Sequence, residues 1–68
     1  MKLIKARTDK GPNKGCIIPQ TYYTPDRRFY IEKGASGWNV QEKDERGFYR
    51  YSFSCDTLKE VRDSLDLL

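Results

Sequence analysis

Apolar and polar residues alternate in three short stretches in the second half of the chain. The stretches are residues 28–33, 37–42 and 47–53. Because successive side chains of a strand point to opposite faces, this alternation predicts strands with one buried face. The gaps between them contain glycine and have the length of hairpin turns, and Gly47 suits a left-handed position. The pattern therefore predicts a three-stranded antiparallel meander over residues 28–54.

Simple alternation places seven large apolar side chains on one face of the meander, which we expect to be its core face. They are Phe29, Ile31, Trp38, Val40, Tyr49, Tyr51 and Phe53. The opposite face then carries mostly polar side chains together with two aromatic rings. Its members are Tyr30, Glu32, Asn39, Gln41, Phe48, Arg50 and Ser52.

A helical repeat replaces the alternation near the end of the chain. Apolar residues recur at steps of three and four, namely Leu58, Val61, Leu65 and Leu68. Thr57 and Glu60 match a capping box, in which each side chain satisfies a backbone N–H group of the first helical turn. Asp56 adds a negative charge at the same end. These signals predict an amphipathic helix over residues 56–68 that packs on the core face.

The first 27 residues carry a weaker pattern. Residues 1–7 are compatible with an edge strand, and residues 8–27 form a loop-rich basic segment in which glycine, proline and asparagine cluster. A short apolar run at residues 16–18 ends at Pro19, which suits a brief edge strand. The predicted fold is a single α+β domain, a small antiparallel meander of three to four strands packed against one C-terminal amphipathic helix.

Positive charge is concentrated in the N-terminal part of the chain. The whole chain has a net charge of +3. Residues 1–28 hold seven basic and two acidic residues, a balance of +5, whereas residues 29–68 hold six basic and eight acidic residues, a balance of −2. This asymmetry suits a polyanionic partner, although solubility alone would also account for it.

Several functional classes lack the residues that they need. The chain has no histidine and two cysteines, so a zinc site of the usual ligand number cannot form within it. No serine lies beside a suitable base, and Gly11 to Gly15 do not match a P-loop. We therefore expect no enzymatic activity, metal, cofactor or small-molecule substrate. Cys16 and Cys55 are expected to be small buried side chains, and whether they are free or paired stays open.

No apolar run has the length of a signal peptide or of a membrane span, so we expect a cytoplasmic protein without membrane contact. Nucleic acid, either DNA or RNA, is the leading partner class. The expected phosphate contacts are Lys10, Lys14, Arg27, Arg28 and Arg50, with Tyr30 and Phe48 as rings on which bases stack. The alternative is a protein-binding or regulatory accessory role, by strand addition or as a homodimer, without nucleic-acid contact.

The aromatic strands, the glycine-containing hairpins and residues 53–60 leading into the helix also carry a resemblance at the level of the fold. Over residues 28–67 the chain resembles the DNA-binding domains of the AP2 and integrase N-terminal type, which consist of a three-stranded sheet and a helix. The resemblance implies DNA binding by the sheet. The hairpin that would approach DNA carries Glu42, Asp44 and Glu45, which would repel phosphates, so no binding residue is transferred from these families.

Overall fold

The computed structural model describes residues 2–9, 11–12 and 14–68. Five antiparallel strands form one sheet in chain order. They are β1 (Ile4–Arg7), β2 (Ile17–Tyr23), β3 (Phe29–Gly34), β4 (Gly37–Lys43) and β5 (Tyr49–Cys55), followed by the helix α1 (Leu58–Asp66). The α+β class and the C-terminal helix are confirmed, but the sheet has five strands instead of three to four. Within these residues no helix is long and apolar enough to cross a membrane.

Strand β2 accounts for the difference in strand number. The sequence indicated only a brief edge strand at residues 16–18, whereas β2 has seven residues and pairs with both β1 and β3. Its register with β1 shifts along the strand, and Gln20, directly after Pro19, has a φ of 52°. The strand therefore bends before it resumes at Thr21. A bend at proline breaks the alternation of faces, so the apolar pattern ends before Pro19 although the strand continues to Tyr23.

A β-bulge at Ser52 determines which side chains of β5 reach the core. The pairing with β4 steps from Phe53 directly to Tyr51, so Ser52 has no partner residue. Phe53 consequently lies on the same face as its partner Val40, whereas Tyr49 and Tyr51 lie on the other face. The prediction that Tyr49 and Tyr51 belong to the core is therefore wrong, and the side chain of Tyr51 is 67% exposed.

The core lies between α1 and one face of the sheet, which we call the helix side. Val61 and Leu65 of the helix are buried in one cluster with Ile31 and Val40 of the sheet. Phe29 and Leu3 are buried in the same cluster, and half-buried apolar side chains pack around it. These half-buried residues are Tyr22, Trp38, Phe53, Cys55 and Leu58. Of the seven predicted core residues, all except the two tyrosines of β5 lie in or against this cluster.

The predicted capping residue of the helix is confirmed, although α1 spans Leu58–Asp66 instead of residues 56–68. Thr57 is the N-cap, and its hydroxyl accepts a hydrogen bond from the Glu60 N–H group at 3.2 Å. The predicted apolar stripe is shorter than expected, because it ends at Leu65 and Leu68 is 74% exposed. Gly47 has the predicted positive φ, at 87°.

Candidate functional site

Tyrosines dominate the face of the sheet opposite α1, which we call the outer face. One row of paired residues crosses all five strands on this face. The row consists of Ile4, Tyr23, Tyr30, Gln41 and Tyr51. A second row holds Thr21, Glu32, Asn39 and Ser54, and the pair Lys43 and Tyr49 lies on the other side of the first row. The only described helix packs on the helix side, so no described helix covers the outer face.

Tyr23, Tyr30 and Tyr49 form a tyrosine cluster. Their ring centroids lie 5.1 Å, 5.7 Å and 6.0 Å apart, and each pair of rings is tilted. The Tyr49 hydroxyl donates a hydrogen bond of 2.6 Å to the Arg27 carbonyl oxygen, which ties the cluster to the turn between β2 and β3. Tilted rings at these distances attract one another beyond the gain from burial. The cluster therefore holds several ring surfaces in place while leaving each half-exposed.

An open cleft of about 450 Å³ adjoins the tyrosine cluster at Tyr23. Residues from β1, the loop after it, the end of β2 and the turn after β2 line this cleft. Its charged residues are four cations, Lys5, Arg7, Lys14 and Arg27, and one carboxylate, Asp9. We call it the basic cleft.

Two of the four cations of the basic cleft have contacts that leave their charge available. Arg7 donates from Nη1 to the Gly15 carbonyl oxygen at 2.7 Å. The Arg27 guanidinium lies 4.7 Å from the centroid of the Tyr23 ring. Among the described residues, no carboxylate lies within ion-pair distance of any of the four. A negatively charged ligand would therefore not have to displace an ion pair of the protein.

Arg27 has an unusual backbone conformation. Its φ is 64°, in the left-handed region that favours glycine. The turn after β2 and the turn after β4 have the same backbone hydrogen bond. The Arg27 N–H donates to the Thr24 carbonyl oxygen in the first turn, and the Gly47 N–H donates to the Asp44 carbonyl oxygen in the second. One turn therefore has glycine at the left-handed position, and the other has an arginine that lines the cleft. Strain of this kind is often found at binding sites.

The structure brings together three of the seven predicted contact residues. Lys14 and Arg27 line the basic cleft, and Tyr30 belongs to the adjoining tyrosine cluster. Lys10 lies outside the described residues. Phe48 is 64% exposed in the turn after β4, apart from the rows of the outer face.

The remaining two predicted contacts, Arg28 and Arg50, are already paired with carboxylates. Arg28 Nη2 lies 2.7 Å from Glu42 Oε2, and Arg50 Nε lies 2.7 Å from Asp44 Oδ2. The prediction that Arg50 lies opposite the core is wrong. The bulge places Arg50 beside Glu42 on the helix side.

The acidic residues near these arginines have structural roles in the turns. A hydrogen bond from Arg50 is the main cause that lowers the pKa of Asp44, and the Phe48 N–H adds to it. The Thr24 hydroxyl and the Arg28 N–H likewise lower the pKa of Asp26. Both carboxylates therefore stay ionised at neutral pH and stabilise the two turns. Asp44, for example, accepts hydrogen bonds from the Arg50 side chain and from the backbone N–H groups of Arg46 and Phe48.

Four residues of the site were not among the predicted contacts: Lys5, Arg7, Tyr23 and Tyr49. Lys5 and Arg7 alternate along β1, and this basic alternation was a usable signal. Tyr49 carried no such signal, because only the pairing of β5 with β4 reveals the bulge.

Polar side chains border the tyrosine cluster in the second row. Glu32 accepts a hydrogen bond from Gln41 Nε2 at 3.1 Å and lies 3.4 Å from the Tyr30 hydroxyl. Burial is the main cause that raises the pKa of Tyr30, and the charge of Glu32 raises it further. The tyrosine therefore stays neutral, and the single carboxylate of this row makes the middle of the outer face unfavourable for a phosphate.

Both cysteines are free thiols, and Cys16 is exposed instead of buried as expected, whereas Cys55 is half-buried. No group of three or more potential metal ligands occurs among the described residues.

The chain matches no family model, no curated protein and no solved structure. The resemblance to three-stranded DNA-binding domains concerns β3, β4, β5 and α1, whereas most of the basic cleft belongs to β1, β2 and the loop between them. Any functional argument therefore rests on the geometry of this chain.

Proposed function

We propose that the protein is a non-enzymatic, cytoplasmic module that binds nucleic acid through the basic cleft and the outer face. The observation that carries this proposal is a cleft lined by four cations, beside the tyrosine cluster, that have no carboxylate partner among the described residues. Nucleic acid is the common ligand that has both regularly spaced anions and flat rings.

The grouping of cations in one place supports the cleft as the phosphate-binding region. Elsewhere in the described residues, Arg28, Arg50 and Lys59 are each paired with a carboxylate. Five further cations have no ion pair there but do not line this cleft, namely Lys2, Lys33, Lys43, Arg46 and Arg62. The cations that line the cleft come from three separate segments of the chain. Like charges repel one another, so their convergence is favourable chiefly when an anion is bound.

The tyrosine cluster supports contact with bases. Its rings are half-exposed, and the row that contains Tyr23 and Tyr30 extends to the more exposed Tyr51. Stacking of a base on an aromatic side chain tolerates any base, because every base has a flat π-face. Such a surface would add affinity without requiring a particular sequence.

Salt dependence tests the proposal directly. Binding of a fluorescently labelled oligonucleotide would be followed by anisotropy between about 50 and 200 mM salt, the range over which phosphate contacts lose most affinity. We expect the double substitution Lys14→Ala with Arg27→Ala to weaken binding. It should also reduce the slope of log K against log salt by about 2, because each phosphate contact contributes about 1.

The matched control removes two exposed cations that lie away from the cleft, Lys33→Ala with Arg62→Ala. It lowers the net charge equally and should leave most of the affinity and slope intact. If both double variants reduce the slope equally, the cleft is not the binding site. If the unmodified protein shows no binding at the lowest salt, the proposal fails.

The second candidate is a protein partner or a second copy of the chain. It is favoured by exposed apolar side chains near the end of α1, where Leu67 is 88% and Leu68 is 74% exposed. Strands β1 and β5 also have one unpaired edge each, which could accept an added strand. Sedimentation that shows a complex lost on Leu68→Asp, but kept by the cleft double variant, would favour this candidate.

A further inference from the structure

The strand state of the ligand can be inferred from the outer face, on the premise that the proposed function is correct. We infer that the protein binds single-stranded nucleic acid, with phosphates in the basic cleft and unpaired bases stacked on the tyrosine cluster and Tyr51. The chemistry is shared by single-stranded DNA and RNA.

The placement of charge favours one phosphate backbone over two. The basic cleft lies at the β1 margin of the sheet. At the β5 margin, the outer face presents the uncharged Tyr51 and Ser54, which share a hydrogen bond of 2.8 Å. A sheet that enters a groove of a duplex meets a phosphate backbone on each side of that groove. Lys43 on β4 adds one cation to this face, and its Nζ lies 5.4 Å from the centroid of the Tyr49 ring. The cations of the outer face are therefore concentrated toward the β1 margin, which matches a single strand.

The position of the rings on the sheet favours unpaired bases. Tyr23, Tyr30 and Tyr51 belong to a row on the flat face of the sheet. In a duplex the faces of the bases are covered by their stacked neighbours, so only base edges are available. A single strand can turn its bases onto the sheet and use the rings.

The size of the row suits a short segment. From Tyr23 on β2 to Tyr51 on β5 the row crosses three inter-strand spacings, about 14 Å in all. An open sheet face of this kind typically stacks two or three bases.

Glu32 determines which side of the outer face the phosphates of the bound strand avoid. It lies in the second row of the outer face, where its carboxylate accepts from Gln41. A carboxylate repels phosphates but accepts hydrogen bonds from the amino groups of bases. The phosphates are therefore kept on the side of the basic cleft, and base edges lie toward Glu32 and Asn39.

The test compares one mixed-sequence oligonucleotide of about 12 nucleotides, a length within the range that small single-strand binders cover. It is used as single-stranded DNA, as single-stranded RNA and as a blunt DNA duplex, all at the same low salt. We expect at least one of the single strands to bind about tenfold or more tightly than the duplex. If the duplex binds as tightly as both single strands or more tightly, the inference is overturned and the proposed function stands. If none of the three binds, the proposed function itself fails.

The stacking surface is tested by Tyr51→Ala against the matched control Phe48→Ala. Both rings are similarly exposed, at 67% and 64%, but only Tyr51 belongs to the row. We expect Tyr51→Ala to weaken binding of the tighter single strand by about fivefold or more, the lower end of what one stacked base contributes. Phe48→Ala should leave the affinity unchanged. Equal losses, or no loss for Tyr51→Ala, would overturn the inference.

A titration of the unmodified protein gives a measurement that does not depend on variant folding. Amide resonances of Tyr23, Tyr30 and Tyr51 should shift when the single strand is added, while those of Val61 and Leu65 on the helix side should not. Shifts confined to the helix side would overturn the inference.

Discussion

The two faces of the sheet differ in how deeply their apolar side chains are buried and in whether their charged side chains have ion-pair partners within the protein. On the helix side Ile31, Val40 and Val61 are fully buried, and Glu42 and Arg50 each have an ion-pair partner. On the outer face the rings of the tyrosine cluster are half-buried and Tyr51 is exposed, and the cations of the basic cleft have no carboxylate partners among the described residues. A chain of 68 residues has one small core, and its free energy of folding depends on that core. The outer face can therefore serve binding.

The largest expected effect separates the faces by stability. Leu65→Ala should lower the free energy of unfolding by about 2 to 5 kcal/mol, because Leu65 is almost fully buried and its truncation leaves a cavity. Tyr51→Ala should change it by less than about 0.5 kcal/mol, as for other exposed positions. Urea denaturation followed by circular dichroism would measure both. The contrast between the two faces would be wrong if Tyr51→Ala lowered the free energy of unfolding as much as Leu65→Ala does.

The two turns offer a narrower comparison of strain. Gly47→Ala should lower the free energy of unfolding by about 1 to 2 kcal/mol, because alanine is strained at a positive φ. Nothing lies within 4 Å of the added Cβ, so the backbone strain is the whole expected effect. Conversely, Arg27→Gly should be more stable than Arg27→Ala by about 1 kcal/mol, since both lose the guanidinium and only glycine relieves the strain.

Binding gives the second readout for Arg27. Both variants at this position should bind the oligonucleotide equally weakly, because both lack the cation of the basic cleft. Equal stability of the two variants would show that the left-handed conformation of Arg27 carries no cost.

A smaller effect on the helix side concerns the start of α1. Thr57→Ala should lower the free energy of unfolding by about 1 kcal/mol, because the Glu60 N–H loses its hydroxyl acceptor. The control Thr57→Ser keeps the hydroxyl and should retain most of the stability. Thermal unfolding of the three proteins would measure the difference, and oligonucleotide binding below the unfolding range should be the same for all. A weaker affinity of Thr57→Ala would mean that the helix contributes to the outer face.

The smallest expected effect concerns the outer face and alkaline pH. Because the pKa of Tyr30 is raised above its ordinary value of 10.0, its contribution to stability is present below pH 10.0 and is lost as the pH rises through the folded pKa. Glu32→Gln should lower this pKa only in part, since burial is the larger cause. Titration of tyrosinate absorbance would measure the change, with Asn39→Ala as a control that removes no charge. An unchanged Tyr30 titration in Glu32→Gln would contradict the assigned role of Glu32.

Local features of the fold could be read from the sequence. Strands β3 and β4 alternate without interruption, and the capping box of Thr57 and Glu60 lies within one helical turn. The left-handed position of Gly47 is equally local. Such features depend on residues a few positions apart, so their signal survives in a single sequence.

The arrangement of the candidate site could be read only in part. Sequence placed Lys14, Arg27 and Tyr30 among the contacts, but it could not bring them together, because residues 14 and 27 meet only through the pairing of β1 with β2 and the bend in β2. It also assigned Tyr49 to the core, because nothing along the chain marks Ser52 as an unpaired residue.

The sequence by itself thus determined the chemistry of this protein, an excess of basic residues in its first part and aromatic residues along its strands. Tertiary structure alone decided which of those side chains share a surface. The reason is physical: an extra residue in a strand reverses the faces beyond it, and whether the residue is extra depends on the neighbouring strand. One such bulge moves two tyrosines from the predicted core to the outer face.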